Sequence, residues 1–499
     1  MTPLLAALPL ICVLICMAVL HTSAVRAGLA GLALAVVLAS GLGGPFSLAQ
    51  ATGFSWRVAA TGTLSEALTS ALNILWIVLP ALALYAFQNK LGAIDRIRDA
   101  LTSMTANRRL QAILLAWFFG LFIEGAAGFG TPVALAAPLL LGIGYSPVRA
   151  VTLALLGHAS GVSFGAVGTP TLAQIELTAL EPTQIAGHVA LMHAVLGWIF
   201  LFAMVRMADD RPLSRQDVAW TIFAGFAFFV PSVAVAHLAG PELPSLAGAL
   251  VGATLFVAAI KQRTSSTMEI NLRALVADLA PYLFIVLFIL ATRLITPVQE
   301  ALSSFTLSWE THDRFSGSIA PLYHPGTMLW CGLVLGALVT GRLGTIGPAF
   351  TDATRRAASV GLALFIMLLL SRLMVQSGMI TALAEAAAQT GPLWAVLSPS
   401  VGVLGTFITG SATTSNILFT QLQLSAAIAL DLPTVVMVAA QGFGSAVGNI
   451  IAPHNIIAGA ATVGLIGREG EVMSKTLALG IVVALLGGLV VAIYANLII

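Results

Sequence analysis

Runs of about twenty apolar residues recur along most of this 499-residue chain, separated by short polar stretches. Crossing a hydrocarbon core of ~30 Å takes ~20 helical residues. Windows of that size predict spans over 3–20, 24–44, 66–87, 149–168, 184–206, 217–237, 241–260, 278–296, 326–341, 357–378, 434–466 and 474–496. Two further apolar stretches, 110–144 and 392–430, are each long enough to cross twice, but Gly, Ser or Thr clusters interrupt them at 124–131 and 409–416. Gly costs ~1 kcal/mol inside a helix, and Ser and Thr compete for its backbone groups. Both stretches are therefore expected to form re-entrant helix–turn–helix hairpins. The expected fold class is an all-α polytopic membrane protein with about 12 transmembrane helices plus two re-entrant hairpins.

The polar positions set the orientation. Lys90, Arg96, Arg98, Arg108 and Arg109 crowd one loop. Arg206, Arg211 and Arg215 mark a second, Lys261, Arg263 and Arg273 a third, and Arg342, Arg355 and Arg356 a fourth. The longest polar loop, 297–325, carries only Arg314 against Glu300, Glu310 and Asp313. The span count puts all four basic loops on one side and the acidic loop on the other, so the basic side is cytoplasmic. Both termini and the ends of the second hairpin then lie outside, and the first hairpin's ends lie inside. Segment 90–109, with Leu91, Ile94, Ile97 and Leu101, reads as an amphipathic helix on the inner surface.

Composition narrows the class. Hydrophobic residues make up 59% of the chain and charged residues 8%, against about 25% charged in a soluble domain, and the mean hydropathy is +1.00. Lipid is the expected main solvent. A net charge of +2 without any basic block excludes nucleic acid as a partner. Cys12, Cys16 and Cys331 stand apart, without disulfide or metal spacing. The first 20 residues lack a basic n-region and read as a span rather than a cleaved signal.

The two hairpins also resemble each other. Residues 120–127 align with 405–412, five of eight positions being identical at an offset of 285. The same offset pairs Gly157 with Gly442, Ser160 with Ser445 and Val162 with Val447, and Gly92 and Ile94 meet Gly378 and Ile380 one residue out of step. Two inverted repeats are expected. One covers 1–240, with hairpin 110–144 and a broken helix over 149–170; the other covers 241–499, with hairpin 392–430 and a broken helix over 434–466. This architecture suits a secondary transporter with its site at midplane.

Four broken segments should converge there: Glu124–Pro132, Gly157–Pro170, Thr409–Asn416 and Gln441–His454. Half-helix N-termini carry partial positive charge and suit a carboxylate. The candidate binding residues are Gly128, Gly130, Thr131, Ser163, Gly165, Thr169, Thr413, Thr414, Ser415, Asn416 and Asn449. The alternative role for such residues is helix packing. Arg372, inside an apolar span, either pairs with the substrate carboxylate or snorkels to the interface. Glu124 is the only acid between Asp99 and Glu176. It reads as a proton carrier or as a structural carboxyl bonded to hairpin N–H groups. His158 and His454 are the other titratable candidates, each with packing as its alternative role.

At these residues the chain resembles the lactate permease family of bacteria. The resemblance rests on Phe122–Val133, Phe164–Pro170, Thr409–Asn416, Ser445–Pro453 and the following Ile456–Gly459, and it extends over nearly the whole length. It implies proton-coupled carriage of lactate or glycolate across the bacterial inner membrane. It also implies inverted repeats with paired re-entrant hairpins and elevator-type motion. Members typically read Gly-Ser-Asp-Thr at the second hairpin, where this chain has Ala412, and Pro-Gln-Ser where it reads Pro453-His454-Asn455.

The expected function is secondary transport of a small 2-hydroxy monocarboxylate with a proton. Carriage of another carboxylate or a sulfonate, with Na⁺ in place of H⁺, stays open, as does a homodimer. No cofactor, metal site or catalytic cluster is expected, and the absence of a Gly-x-x-x-x-Gly-Lys-Ser/Thr loop argues against ATP use. A membrane enzyme or a channel is the remote alternative.

Overall fold

The computed structural model describes residues 2–41, 44–128, 130–263 and 272–498. Each of the twelve expected windows coincides with a helix, and the window 434–466 holds a helix with a break in it. Among the described residues ten helices are long and apolar enough to cross a membrane, and shorter apolar helices include Thr2–Ala18, Ala24–Ala39 and Pro325–Val339. The chain is a helical, multi-pass bacterial membrane protein.

Two long helices form the spine. Trp56–Lys90 has 35 residues and Ile346–Gln376 has 31, and they pack side by side. Gly361 permits this approach, since a Cβ there would come within 2.9 Å of Leu75. At one end of the spine Lys90 pairs with Asp352 at 2.8 Å and Arg96 with Asp278 at 2.5 Å. There too the buried Arg109 pairs with Asp217 and donates to the Arg211 carbonyl. These ion pairs draw the basic loops together.

The other end carries an element that the hydropathy pattern does not reveal. Leu307–Thr311 and Phe315–Ile319 form an antiparallel β-hairpin inside the loop expected to be merely polar. Its strands are only five residues long and mostly exposed, so they leave little periodic signal. Trp309 Nε1 donates to Thr69 Oγ1 at 2.8 Å, and Asn73 Nδ2 donates to the Ser318 carbonyl at 3.0 Å. Phe315 is buried in the space left by the absent side chain of Gly62.

The amphipathic segment is a helix over Ala93–Thr102 that buries Ala93, Ile94 and Ile97. Gly92 caps it in the left-handed conformation, at φ 64°. Gly378 does the same, at φ 82°, for the ten-residue helix Met379–Ala388. This similarity of geometry accompanies the sequence match of Gly92 with Gly378.

Both expected helix–turn–helix pairs form. The first joins Arg108–Ala126 to Thr131–Gly142, and a π-helical stretch, Ile113–Phe119, lies within its first arm. The second joins Leu393–Thr409 to Ala412–Ala429. The helix after the first hairpin runs from Pro147 to His158 and tightens to a 3-10 turn over Ala159–Phe164. It then kinks at Ala166, Val167 and Gly168, whose φ values are 44°, 54° and 82°. Left-handed backbone at Val167 costs ~1–3 kcal/mol, and such strain persists only where the surroundings enforce it. After the second hairpin, Thr434–Asn449 stops and Pro453–Thr462 restarts.

Candidate functional site

The four breaks meet around one cavity of about 380 Å³. Glu124, Gly128 and Gly130 line it from the first hairpin, and Val162, Gly165, Ala166, Thr169 and Pro170 from the kinked helix. Thr409, Gly410, Ser411, Ala412 and Thr413 come from the second hairpin, and Asn449, His454 and Asn455 from the second break. Met17, Thr22, Ser23 and Ala24, around the turn between the first two helices, complete the wall.

Among the described residues no Lys or Arg lines this chamber. Helices begin at Thr131, Ala412 and Pro453, at or beside the wall. Pro132 and Pro453 carry no N–H, and Thr131 N and Asn455 N donate to the Gly128 and Ala452 carbonyls, so the second hairpin is the start best placed to offer first-turn N–H groups. At the second hairpin Ser411 Oγ accepts from Thr414 N at 3.2 Å, while the N–H groups of Ala412 and Thr413 precede that capped position. Such an N-terminus holds an anion without a fixed cation.

Glu124 is buried and faces His158, whose Nε2 lies 4.0 Å from Glu124 Oε2. His158 Nδ1 lies 2.6 Å from the Ala154 carbonyl, an acceptor, so Nδ1 carries a proton and donates it. A neutral ring then has its lone pair on Nε2, facing Glu124, whereas Asn449 Oδ1, an acceptor 3.4 Å away, bonds to Nε2 only when that nitrogen also carries a proton. At 4.0 Å the carboxyl and the imidazole are neighbours beside the cavity without a direct hydrogen bond. Gly165 makes room for the acid, since a Cβ there would collide with Glu124 Oε1.

Eight of the expected residues line the chamber: Glu124, Gly128, Gly130, Gly165, Thr169, Thr413, Asn449 and His454. His158 stands directly behind. The others have different work. Ser163 Oγ donates to the Gly442 carbonyl at 3.0 Å and lies 2.9 Å from His193 Nε2, tying the kinked helix to its neighbours. Ser415 Oγ donates to the Gly402 carbonyl at 2.9 Å, which joins the two arms of its hairpin. Asn416 Nδ2 donates to the Pro170 carbonyl at 2.9 Å and so braces the first break against the second hairpin. Thr131 donates to the Gly128 carbonyl, and Thr414 lies outside the lining.

Even the lining hydroxyls are engaged with backbone. Thr169 Oγ1 lies 2.6 Å from the Ala166 carbonyl, and Thr409 Oγ1 lies 2.7 Å from the Gly405 carbonyl. They stabilise the breaks.

Arg372 is away from this chamber. Its Nη2 donates to the Glu176 carbonyl at 2.8 Å and to Ser70 Oγ at 3.4 Å. An arginine in the middle of an apolar run had suggested a substrate partner, but the helix rotation turns it toward the far end of the kinked helix.

Thr409, Ser411 and Asn455 line the chamber without having been singled out. The signal for Thr409 was present, because it occupies the place of Glu124 in the internal repeat (409 − 124 = 285). The turn at 22–24 gave no signal, since its contact with the chamber depends on tertiary packing alone.

Long apolar helices around a chamber built from helix ends define a multi-pass membrane transporter. The solved structure of MtrF from Neisseria gonorrhoeae, described as illuminating a class of antimetabolite efflux pumps, has a similar fold. The TM-score is 0.53 at 15% identity, covering 96% of each chain. The sequence model of the L-lactate permease family matches residues 2–320 and 318–498, and the chain belongs to that family. It is thus a permease rather than an enzyme. It is 28% identical to the L-lactate permease of Salmonella typhimurium over 470 residues, covering 85% of this chain and 84% of the relative. It is 27% identical to the glycolate permease GlcA of Escherichia coli over 478 residues, with the same coverage. Among the described residues no group of three or more His, Cys, Asp or Glu is placed to hold a metal ion.

Proposed function

We propose that the chain is a symporter, carrying a small 2-hydroxy monocarboxylate such as L-lactate or glycolate across the inner membrane with a proton. The observation that carries this reading is the single cavity at which both hairpin breaks and both helix breaks meet, ringed by helix N-termini and holding one carboxyl group. In this reading the N–H groups at Ala412, Thr413 and Gly130 hold the substrate carboxylate, and Asn449 and Asn455 accept or donate to its hydroxyl. Glu124 carries the proton with His158 as its partner. A neutral chamber without Lys or Arg favours release, because no fixed cation retains the anion.

Two inverted repeats divided near residue 240 provide the alternating access. The matched left-handed caps at Gly92 and Gly378 support that division. The second arm of the first hairpin, Thr131–Gly142, has 12 residues. At 1.5 Å per residue it reaches ~18 Å, short of a ~30 Å core, which supports a re-entrant tip.

Ala412 and His454 favour a second reading. The acid that resemblance leads one to expect at 412 is absent, and an exposed imidazole faces the same chamber. A different small carboxylate or a sulfonate, or Na⁺ coupling, follows from that reading.

The test is uptake into proteoliposomes of labelled L-lactate, glycolate, other short carboxylates and small sulfonates, under an inward proton gradient with and without Na⁺. Sodium-independent accumulation of lactate or glycolate is the expected result. Accumulation of another anion, or accumulation only with Na⁺, overturns it in favour of the second reading.

A further inference from the structure

The kinked helix that lines the chamber with Thr169 and Pro170 ends seven residues later at a second cavity, of about 220 Å³. Glu176 lines that cavity, together with Asn73, Glu181, Glu242, Arg293 and His324. It lies at the β-hairpin end of the molecule, opposite the basic loops. Asn73, which lines it, also holds the Ser318 carbonyl of that hairpin.

Its charges do not balance. Three carboxyl groups, those of Glu176, Glu181 and Glu242, face one guanidinium. Arg293 is committed to Glu242, at 2.8 Å. Arg372, outside the lining, donates to the Glu176 backbone carbonyl at 2.8 Å and also attracts its carboxyl, so two guanidinium groups stand against three carboxyl groups. The Glu176 carboxyl itself is held by a neutral donor, with Asn73 Nδ2 at 3.0 Å from Oε1. Two further acceptors in the lining are buried without any donor: Glu242 Oε2, in a side chain 3% exposed, and Asn73 Oδ1. A cavity with surplus acceptors and surplus negative charge takes up protons and repels anions.

We infer that Glu176 is a second proton-loading site, filled from the cavity on the acidic-loop side, and that its protonation admits the anion. This inference rests on the proton-coupled reading above. A proton on Glu176 leaves Arg293 facing fewer negative charges, so the substrate carboxylate and the proton enter together. The seven residues from Thr169 to Glu176 span ~10 Å of helix, so the outer acid and the inner chamber belong to one rigid element. Between them Gln174 donates to the Val438 carbonyl at 2.8 Å, its Oε1 buried without a partner. Asn416 likewise leaves Oδ1 without one. Two uncharged side-chain amides with spare acceptors thus stand between the two cavities.

The groups facing Glu176 fix what a pH study must separate. Ser70 and Asn73 face it from the Trp56–Lys90 helix, and Arg372 from the Ile346–Gln376 helix. Glu181, Glu242, Arg293 and His324 face it across the cavity.

Full-length wild type and Glu176→Gln, reconstituted in liposomes, separate loading from binding. Glutamine mimics the protonated acid and cannot release a proton. Gradient-driven L-lactate accumulation is expected to fall by about tenfold or more, which is 1.4 kcal/mol or more. Exchange of labelled against unlabelled L-lactate at equal pH, which needs no net proton movement, should stay within about twofold of wild type and lose its dependence on external pH. Accumulation that survives in Glu176→Gln overturns the inference. So does loss of both accumulation and exchange, which makes Glu176 structural. If wild type exchanges glycolate or another anion in place of L-lactate, it is the cargo assignment that fails, and the same two readouts on that anion decide the role of Glu176.

Discussion

Glu124 in the first hairpin and Thr409 in the second occupy equivalent places, 285 residues apart, and both line the same cavity. Their surroundings differ. The first break runs through Ala127 to Gly130, with left-handed glycines at φ 55° and 77°, and sets a carboxyl against an imidazole. The second turns at Gly410, φ 70°, is capped at once by Ser411, and its threonine hydroxyl lies 2.7 Å from the Gly405 carbonyl. The matching stretches thus carry matched breaks, while the carboxyl group stands on one side only.

The largest effect that follows is a contrast between these two positions. Glu124→Gln should reduce proton-driven uptake by about tenfold or more, where tenfold is 1.4 kcal/mol. Thr409→Val removes the hydroxyl's bond to the Gly405 carbonyl and the one it accepts from Ser411 N, each worth ~1 kcal/mol, and should change uptake only a few-fold. Equal losses at the two sites would break the asymmetry.

A Cβ at Gly165 has no space beside Glu124 Oε1. Gly165→Ala should therefore displace the carboxyl at a cost of ~1–3 kcal/mol of overpacking. Uptake measured against pH should show the midpoint moved relative to wild type; an unmoved profile would remove Glu124 from the titrating step. Smaller again is Ser411→Ala, which takes the cap from the second hairpin and should cost ~1 kcal/mol, read as a lower melting temperature in detergent. The smallest concerns the exposed loop around Asp210, which lines neither cavity. Arg149 pairs with the exposed Asp210 at 2.5 Å and holds its carboxyl below the usual range. What the pair contributes is present above that range and lost as pH falls through it. Asp210→Asn should leave the melting temperature at neutral pH unchanged within error, since such surface pairs are weak.

The helices and all four breaks are legible in the sequence because lipid makes the apolar period obvious and because Gly, Ser and Thr clusters stand out against it. Which residues face the chamber is legible only in part. Ser163, Ser415 and Asn416 look like ligands because they are polar at a break, yet they donate to backbone carbonyls of neighbouring helices. A polar residue serves either purpose, and only its rotation about the helix decides between them. Arg372 shows the same ambiguity: its place in an apolar run fits substrate pairing or snorkelling, and its rotation about the helix sets it on Ser70 and the Glu176 carbonyl. The β-hairpin escaped because five-residue strands carry no lasting period, and the outer cavity because its walls come from segments far apart in the chain.

In the proposed cycle anion and proton leave the same chamber together, the proton by way of Glu124. The direct test is to add L-lactate to lightly buffered proteoliposomes at equal internal and external pH and to record external pH with an impermeant dye. Transient external alkalinisation in wild type, with none in Glu124→Gln, is predicted. Lactate uptake without alkalinisation in wild type, or an unchanged signal in the variant, would contradict it.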